Sequence, residues 1–64
     1  MIENKIRERR RELGMTLLQL SKESGVPLST LAEIEEKGRE PRVRTAQYLA
    51  HALLQTIDEL WPIT

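Results

Sequence analysis

The apolar residues of this chain recur at helical spacing, and no segment alternates with the period of two that a β-strand requires. The clearest stripe joins Val43, Ala46, Leu49, Ala50 and Leu53, which follow the i, i+3, i+4, i+7 pattern of one helix face. Because the chain has 64 residues and no cysteine, it can form only one small core, without disulfides. We therefore expect a single all-α domain over residues 1–64.

Capping residues and helix breakers divide this pattern into five predicted helices. Thr16 followed by Gln19, and Thr56 followed by Glu59, have the spacing of capping boxes that begin helices two and five. Pro27 suits the first turn of helix three, because it supplies a helical φ angle and lacks only an amide that the first turn leaves unpaired. The predicted helices cover about residues 2–13, 17–23, 28–36, 43–53 and 57–61.

The composition excludes most catalytic and membrane classes. The chain has no cysteine, a single histidine, His51, and no glycine-rich phosphate loop. These absences remove the usual nucleophile, base and metal-ligand sets, so we expect no enzyme activity, metal or cofactor. No apolar run exceeds three residues, which is far too short for a bilayer span. We expect a soluble, cytoplasmic protein that does not associate with membranes.

The formal net charge of zero conceals two basic segments. Residues 1–15 carry five Lys and Arg residues against three Glu, and residues 37–44 carry four against one. Positive charge concentrated in this way favours a polyanionic partner, although the total charge argues against one.

Helices two and three are predicted to be separated by only three or four residues around Gly25, a spacing typical of a helix-turn-helix. Ser21 is small enough to let the two helices approach each other. Val26, Leu31 and Ile34 would then hold helix three on the core. Several further positions match a known pattern: Ile6, Arg10, Gly14, Thr16, Leu20, Ser29, Thr30, Glu35, Pro41, Ala46, Leu49, Ala50, Ala52, Leu53, Asp58, Glu59 and Leu60.

On these residues the chain resembles the Cro/cI-type (XRE) family of phage-repressor helix-turn-helix proteins, from residue 6 to residue 61. The resemblance implies a five-helix, lambda-repressor-like domain that binds double-stranded DNA and regulates transcription. A natural repressor of this type would be a homodimer, whereas a redesigned DNA binder on the same scaffold could act as a monomer. The sequence is compatible with either origin.

The resemblance also implies an ion pair between Arg10 and Glu35, and the periodicity supports it. Both charged residues intrude on otherwise apolar helical stripes, where an unpaired charge would be costly. The alternative interpretation is that both side chains lie at the solvated borders of those stripes.

If helix three docks in the major groove, its outward residues would read the bases. These candidate base-reading residues are Leu28, Ser29, Thr30, Ala32 and Glu33. The basic residues nearby would bind phosphates, as would the amino end of helix two, where unpaired amides face outward. These candidate phosphate contacts are Thr16, Leu17, Lys37, Arg39, Arg42, Arg44 and Arg9.

Positions 17 and 28, which are commonly polar in the family, are both leucine here. We expect Leu17 and Leu28 to form one apolar patch on the DNA-facing surface, with three interpretations in order of preference. The patch anchors helix three as a small core, or it contacts thymine methyl groups, or it binds a protein partner. The third interpretation is the alternative function, a protein-interaction module that keeps the helix-turn-helix fold.

Leu54 also departs from the family, which usually has glycine after helix four. That end of the helix would therefore lack its favoured cap. A partly exposed Leu54 would build a dimer contact together with Ile57, Trp61 and Ile63; alternatively, Trp61 simply closes the core.

Overall fold

The computed structural model describes residues 4–63, and in that range it contains five α-helices and no strand. The helices are α1 (Ile6–Glu12), α2 (Leu17–Ser24), α3 (Leu28–Lys37), α4 (Val43–Ala52) and α5 (Ile57–Leu60). The predicted all-α, five-helix fold is therefore confirmed. Within residues 4–63, none of the helices has the length and apolar character needed to cross a bilayer.

The hydrophobic core forms where α2 packs against α3 and α4, and where α4 packs against α5. Its buried members are Ile6, Leu20, Val26, Leu31, Ile34, Leu49, Ala50, Leu53 and Leu60. Met15, Leu17 and Trp61 pack partly buried against this cluster. Full burial of one large aliphatic side chain is worth about 1.5 to 3 kcal/mol, so this cluster is the main source of stability in a chain without disulfides.

Helix α1 begins four residues later than the sequence predicts. Lys5 lies outside the helix, with φ −109° and ψ 24°, and its amide donates to the carbonyl of Leu60 at 2.8 Å. The Oδ1 of Asn4 accepts a hydrogen bond from the amide of Ile6 at 3.2 Å, which places a capping side chain just before the helix. Residues 2 and 3 of the predicted helix lie outside the described residues.

Two apolar residues that the helical stripes place inward are exposed in the structure. Val43 is 71% exposed, because it occupies the first turn of α4 and the buried stripe of that helix starts one turn later, at Ala46. Leu13 follows the last residue of α1 and is also exposed. The periodicity identifies a helix face correctly, but the ends of that face extend beyond the neighbouring helices.

The carboxyl ends of α3 and α4 differ in how the chain leaves the helix. Helix α3 extends to Lys37, one residue beyond the prediction, and Gly38 takes the left-handed conformation at φ 67°. After α4, the left-handed position is occupied by Leu54 at φ 56°, where a side chain is strained. Helix α5 ends at Leu60, whereas the prediction extended it to Trp61.

Candidate nucleic-acid interface

Helix α3 has a buried side and an uncovered side. Leu31 and Ile34 are completely buried in the core. Leu28, Ser29 and Glu36 are exposed, and Thr30, Ala32 and Glu33 are half-buried. All five predicted base-reading residues therefore retain accessible surface, and none of them belongs to the buried core.

The turn between α2 and α3 is held by side-chain hydrogen bonds. The hydroxyl of Ser21 donates to the carbonyl of Val26 at 2.6 Å, and the hydroxyl of Ser24 donates to the carbonyl of Leu20 at 2.6 Å. The amide of Val26 in turn donates to the Ser24 hydroxyl at 3.2 Å. Gly25 takes φ 77°, a left-handed conformation that ends α2 and lets the chain turn into α3 within three residues. These bonds set the orientation of α3 relative to α2.

Arg10 and Glu35 form the ion pair that the sequence suggested, and it connects three elements. Arg10 Nε lies 2.9 Å from Glu35 Oε2, and Arg10 Nη2 lies 3.1 Å from Glu35 Oε1. The remaining Nη1 donates to the Met15 carbonyl at 2.8 Å, just before α2. The Glu35 side chain is only 2% exposed. The pair joins α1 to α3, and the bond from Arg10 to Met15 connects both helices to the segment that precedes α2.

Sequence reasoning missed two residues of this junction. Arg7 Nε lies 3.2 Å from Glu35 Oε1, so Glu35 has a second cationic partner besides Arg10. The Nδ2 of Asn4 donates to the carbonyl of Ile34 at 2.9 Å, 30 residues away. The N-cap of α1 is Lys5, so the N-cap preference for asparagine does not identify Asn4, and no local pattern predicts its bond to Ile34.

A hollow of about 280 Å³ brings part of the basic loop to the amino end of α3. Among its lining residues are Pro27 and Thr30, at the start of α3, together with Arg39 and Arg42 from the loop before α4 and Thr45 from its first turn. Neither α3 nor α4 has a side-chain hydrogen bond at its N-cap residue, Pro27 or Arg42. First-turn amides of both helices therefore lack a capping side chain at this hollow. Two helix amino ends and two arginines converge there.

The other predicted phosphate contacts differ in position. Lys37 and Arg44 are exposed on the two sides of the loop that joins α3 to α4. Arg9, in contrast, is held at the far end of α4, where its Nε donates to the Leu53 carbonyl at 2.9 Å and its Nη1 lies 3.2 Å from Glu12. The structure does not bring Arg9 to the hollow, because its guanidinium caps the carboxyl end of α4.

Arg39 and Glu33 were predicted to have separate roles, and the structure brings them together. Arg39 Nη1 lies 3.4 Å from Glu33 Oε2, and both side chains are about half-exposed. A pair this exposed contributes little to stability, about 0.2 to 1 kcal/mol. It can open without a large cost, so both groups remain available to another partner.

The amino end of α2 is capped through the predicted capping box. Thr16 Oγ1 accepts from the amide of Gln19 at 3.1 Å, and Gln19 Oε1 accepts from the amide of Thr16 at 2.7 Å. The amides of Leu17 and Leu18 lie in the first turn, where no intrahelical carbonyl can reach them. The predicted phosphate contact at this end of α2 would use these unpaired amides as hydrogen-bond donors.

The expected Leu17 and Leu28 patch does not consist of two equivalent residues. Leu17 is half-buried and packs against the core. Leu28 is 43% exposed and is neither a core residue nor packed against the core cluster. The small-core interpretation therefore fits Leu17 and not Leu28.

The domain has a short turn between α2 and α3 that side-chain hydrogen bonds hold in place, an uncovered side on α3, and arginines beside it. These features define a helix-turn-helix domain of the DNA-binding type. A family model described as Helix-turn-helix matches residues 6–60. The chain therefore belongs to this helix-turn-helix family, which confirms the Cro/cI-type (XRE) resemblance and the lambda-repressor-like fold. No curated protein matches the chain at a significant level.

Family membership makes the protein a DNA-binding helix-turn-helix regulator, with double-stranded DNA as its partner. The family is one of DNA-binding domains and not of enzymes.

Proposed function

We propose that the protein binds a specific sequence of double-stranded DNA with α3 in the major groove and thereby regulates transcription in the cytoplasm. The proposed base-reading residues are Leu28, Ser29, Thr30, Ala32 and Glu33. The proposed phosphate contacts are Lys37, Arg39, Arg42, Arg44 and the amino end of α2 at Thr16 and Leu17. Arg9 is omitted because its guanidinium is bonded to Leu53 and Glu12.

One observation carries this proposal: Thr30, Arg39 and Arg42 line one hollow beside the uncovered side of α3. Groups suited to base edges and groups suited to phosphates therefore share one side of the molecule. Phosphate contacts supply most of the salt-dependent affinity for DNA, and side chains near the start of the recognition helix supply sequence discrimination.

Selection from a random duplex library at moderate salt tests sequence specificity. We expect an enriched motif whose binding weakens steeply as salt increases, because counterions are released from the phosphates. The absence of an enriched motif, or an affinity that does not depend on salt, would refute the proposal.

Arg42→Ala and Arg9→Ala form a matched pair, since each removes one positive charge. We expect Arg42→Ala to weaken all sequences similarly and to reduce the salt slope by about one. Arg9→Ala should leave the slope unchanged, provided circular dichroism shows that the variant is folded. Equal slopes for the two variants would place the phosphate contacts elsewhere.

Glu33→Ala tests whether the carboxylate of Glu33 reads a cytosine. A carboxylate can accept a hydrogen bond from the cytosine amino group, and one such contact discriminates by about 1 to 3 kcal/mol. We expect the preference to relax at one base pair per half-site, with the phosphate-dependent salt slope retained. A motif identical to that of the wild type would remove Glu33 from the base-reading set.

We further propose that the protein binds as a homodimer through an apolar groove of about 430 Å³ between α4 and α5. Val43, Ile57, Trp61 and Ile63 line this groove, and among the described residues the buried indole Nε1 of Trp61 has no hydrogen-bond partner. Two copies would cover this apolar surface and present two α3 helices about one DNA turn apart. Val43→Asp should convert the dimer to a monomer in sedimentation analysis; a wild-type monomer that binds a single half-site would contradict the dimer.

A further inference from the structure

The reading face of α3 lacks the side chains that usually identify purines. Residues 28–36 contain no Asn, Gln, Arg or Lys, whose bidentate hydrogen bonds recognise adenine and guanine. Lys37 lies at the opposite end of the helix from Leu28. The polar groups near the start of the helix are the hydroxyls of Ser29 and Thr30, which bond to any base or to phosphate. Discrimination at this end must therefore come from another kind of contact.

The start of α3 instead offers an apolar contact surface. Leu28 is the first residue of the helix and is 43% exposed. Ala32, four residues later, lies on the same edge of the helix and also keeps accessible surface. The two side chains form a short apolar strip that stays partly accessible, with Leu28 more exposed than Ala32. Arg39 and Arg42 line the hollow at this end of the helix, so a partner of negative charge is favoured over an apolar protein surface.

The geometry points to Leu28 as the reader of a pyrimidine C5-methyl group in the major groove, an inference that rests on the proposed DNA-binding function. This methyl group is the apolar feature that a base pair presents in the major groove. The residue that begins a recognition helix is among those closest to the base edges. Thymine carries the methyl group in ordinary DNA, and 5-methylcytosine presents the same group. Leu17, which packs against the core, supports the start of α2 and is not part of the contact.

Replacing single thymines by uracil removes only the methyl group and keeps the base pair. The probe is the duplex recovered from the random selection, with each thymine replaced in turn. Because burial of one methyl-sized group is worth about 0.8 kcal/mol, we expect about fourfold weaker binding at one or two positions per half-site. Binding by Leu28→Ala should show a thymine-to-uracil ratio close to one at those positions. Leu13→Ala, which truncates an exposed leucine at the carboxyl end of α1, should keep the wild-type ratio.

A second set of duplexes separates the two sources of the methyl group. Cytosine and 5-methylcytosine, each opposite guanine, replace the thymine at the sensitive position. Tighter binding of 5-methylcytosine than of cytosine supports recognition of the methyl group itself. Equal binding of the two, with thymine still preferred over uracil, assigns the site to thymine.

Two results would overturn the inference while leaving the proposed function intact. One is a wild-type protein that binds its selected motif equally well with thymine or uracil at every position. The other is a Leu28→Ala variant that binds DNA and keeps the wild-type ratio, which would assign the methyl contact to a different residue. Failure of the wild-type protein to select any motif would instead count against the proposed function.

Discussion

At the scale of single residues, Glu35 is the most constrained charged group in the described chain. Its carboxylate is almost completely buried and receives hydrogen bonds from Arg10 and Arg7. Removing one partner of such a buried ion pair is costly, because the remaining charge then lies in a poorly solvated site without its counter-charge.

Glu35→Ala is therefore expected to lower the free energy of unfolding by about 3 to 5 kcal/mol. Urea unfolding monitored by circular dichroism measures the change. Glu23→Ala removes an exposed carboxylate on α2 and should change the stability by less than about 0.5 kcal/mol. A similarly small effect for Glu35→Ala would mean that the pair behaves as a surface ion pair.

Leu54 is strained for a different reason, since its backbone takes the left-handed conformation at φ 56° with a side chain that is 73% exposed. Leu54→Gly removes the steric conflict and loses almost no packing. We expect a gain of about 0.5 to 1 kcal/mol in stability, after the greater freedom of glycine in the unfolded chain is subtracted. Leu54→Ala keeps the strain and should show no such gain in thermal melts; equal melting temperatures for the Gly and Ala variants would contradict this account.

At the scale of elements, α2 and α5 begin with the same motif but with different chemistry. Both have a capping box, closed by Gln19 in α2 and by Glu59 in α5. The backbone amide of Thr56 donates to Glu59 Oε1 at 3.0 Å, and this bond is the main reason that the pKa of Glu59 lies below its ordinary value. The Thr56 hydroxyl bond to the same oxygen and the charge of Arg9 act in the same direction.

The lowered pKa of Glu59 predicts that the capping box of α5 contributes a pH-dependent stability, whereas the capping box of α2 does not. A carboxyl group with a lowered folded-state pKa stabilises the fold fully above its unfolded pKa, and this contribution is lost as the pH falls through the lowered value. Below the unfolded pKa of glutamate, about 4.3, the stability advantage of the wild type over Glu59→Gln should shrink as the pH falls. The corresponding difference for Gln19→Ala should stay constant, because glutamine does not titrate. Parallel pH profiles for the two variants would show that Glu59 is not coupled to the cap.

At the scale of the whole molecule, the fold depends on one small core. A core in a chain of this length rarely supplies more than about 3 to 5 kcal/mol. Replacing a fully buried leucine by alanine costs about 2 to 5 kcal/mol. The two ranges overlap, so a single large-to-small substitution should be enough to unfold the protein.

Leu49→Ala tests this margin, because Leu49 is completely buried on α4. We expect a largely unfolded protein at room temperature or a melting transition shifted well below that of the wild type. Gln47→Ala changes an exposed residue of the same helix and should stay within about 0.5 kcal/mol of the wild type. A folded Leu49→Ala variant with a near-wild-type melting temperature would mean that the core can collapse around the lost side chain.

The sequence by itself determined the local structure. Capping boxes, glycines, prolines and helical stripes predicted five helices, and the positions that these stripes place inward, such as Leu20, Leu31 and Leu49, are buried. These signals are local, since a cap or a stripe is set by residues three or four apart.

The tertiary structure alone decided where the ends and the long side chains go. The tie of Asn4 to Ile34, the second partnership of Glu35 with Arg7 and the placement of Arg9 at Leu53 all join residues far apart in the chain. The exposure of Val43 was likewise set by where the neighbouring helices stop. Periodicity identifies the face of a helix, but a guanidinium on a flexible stem bonds to whichever carbonyl or carboxylate the packing brings within its reach.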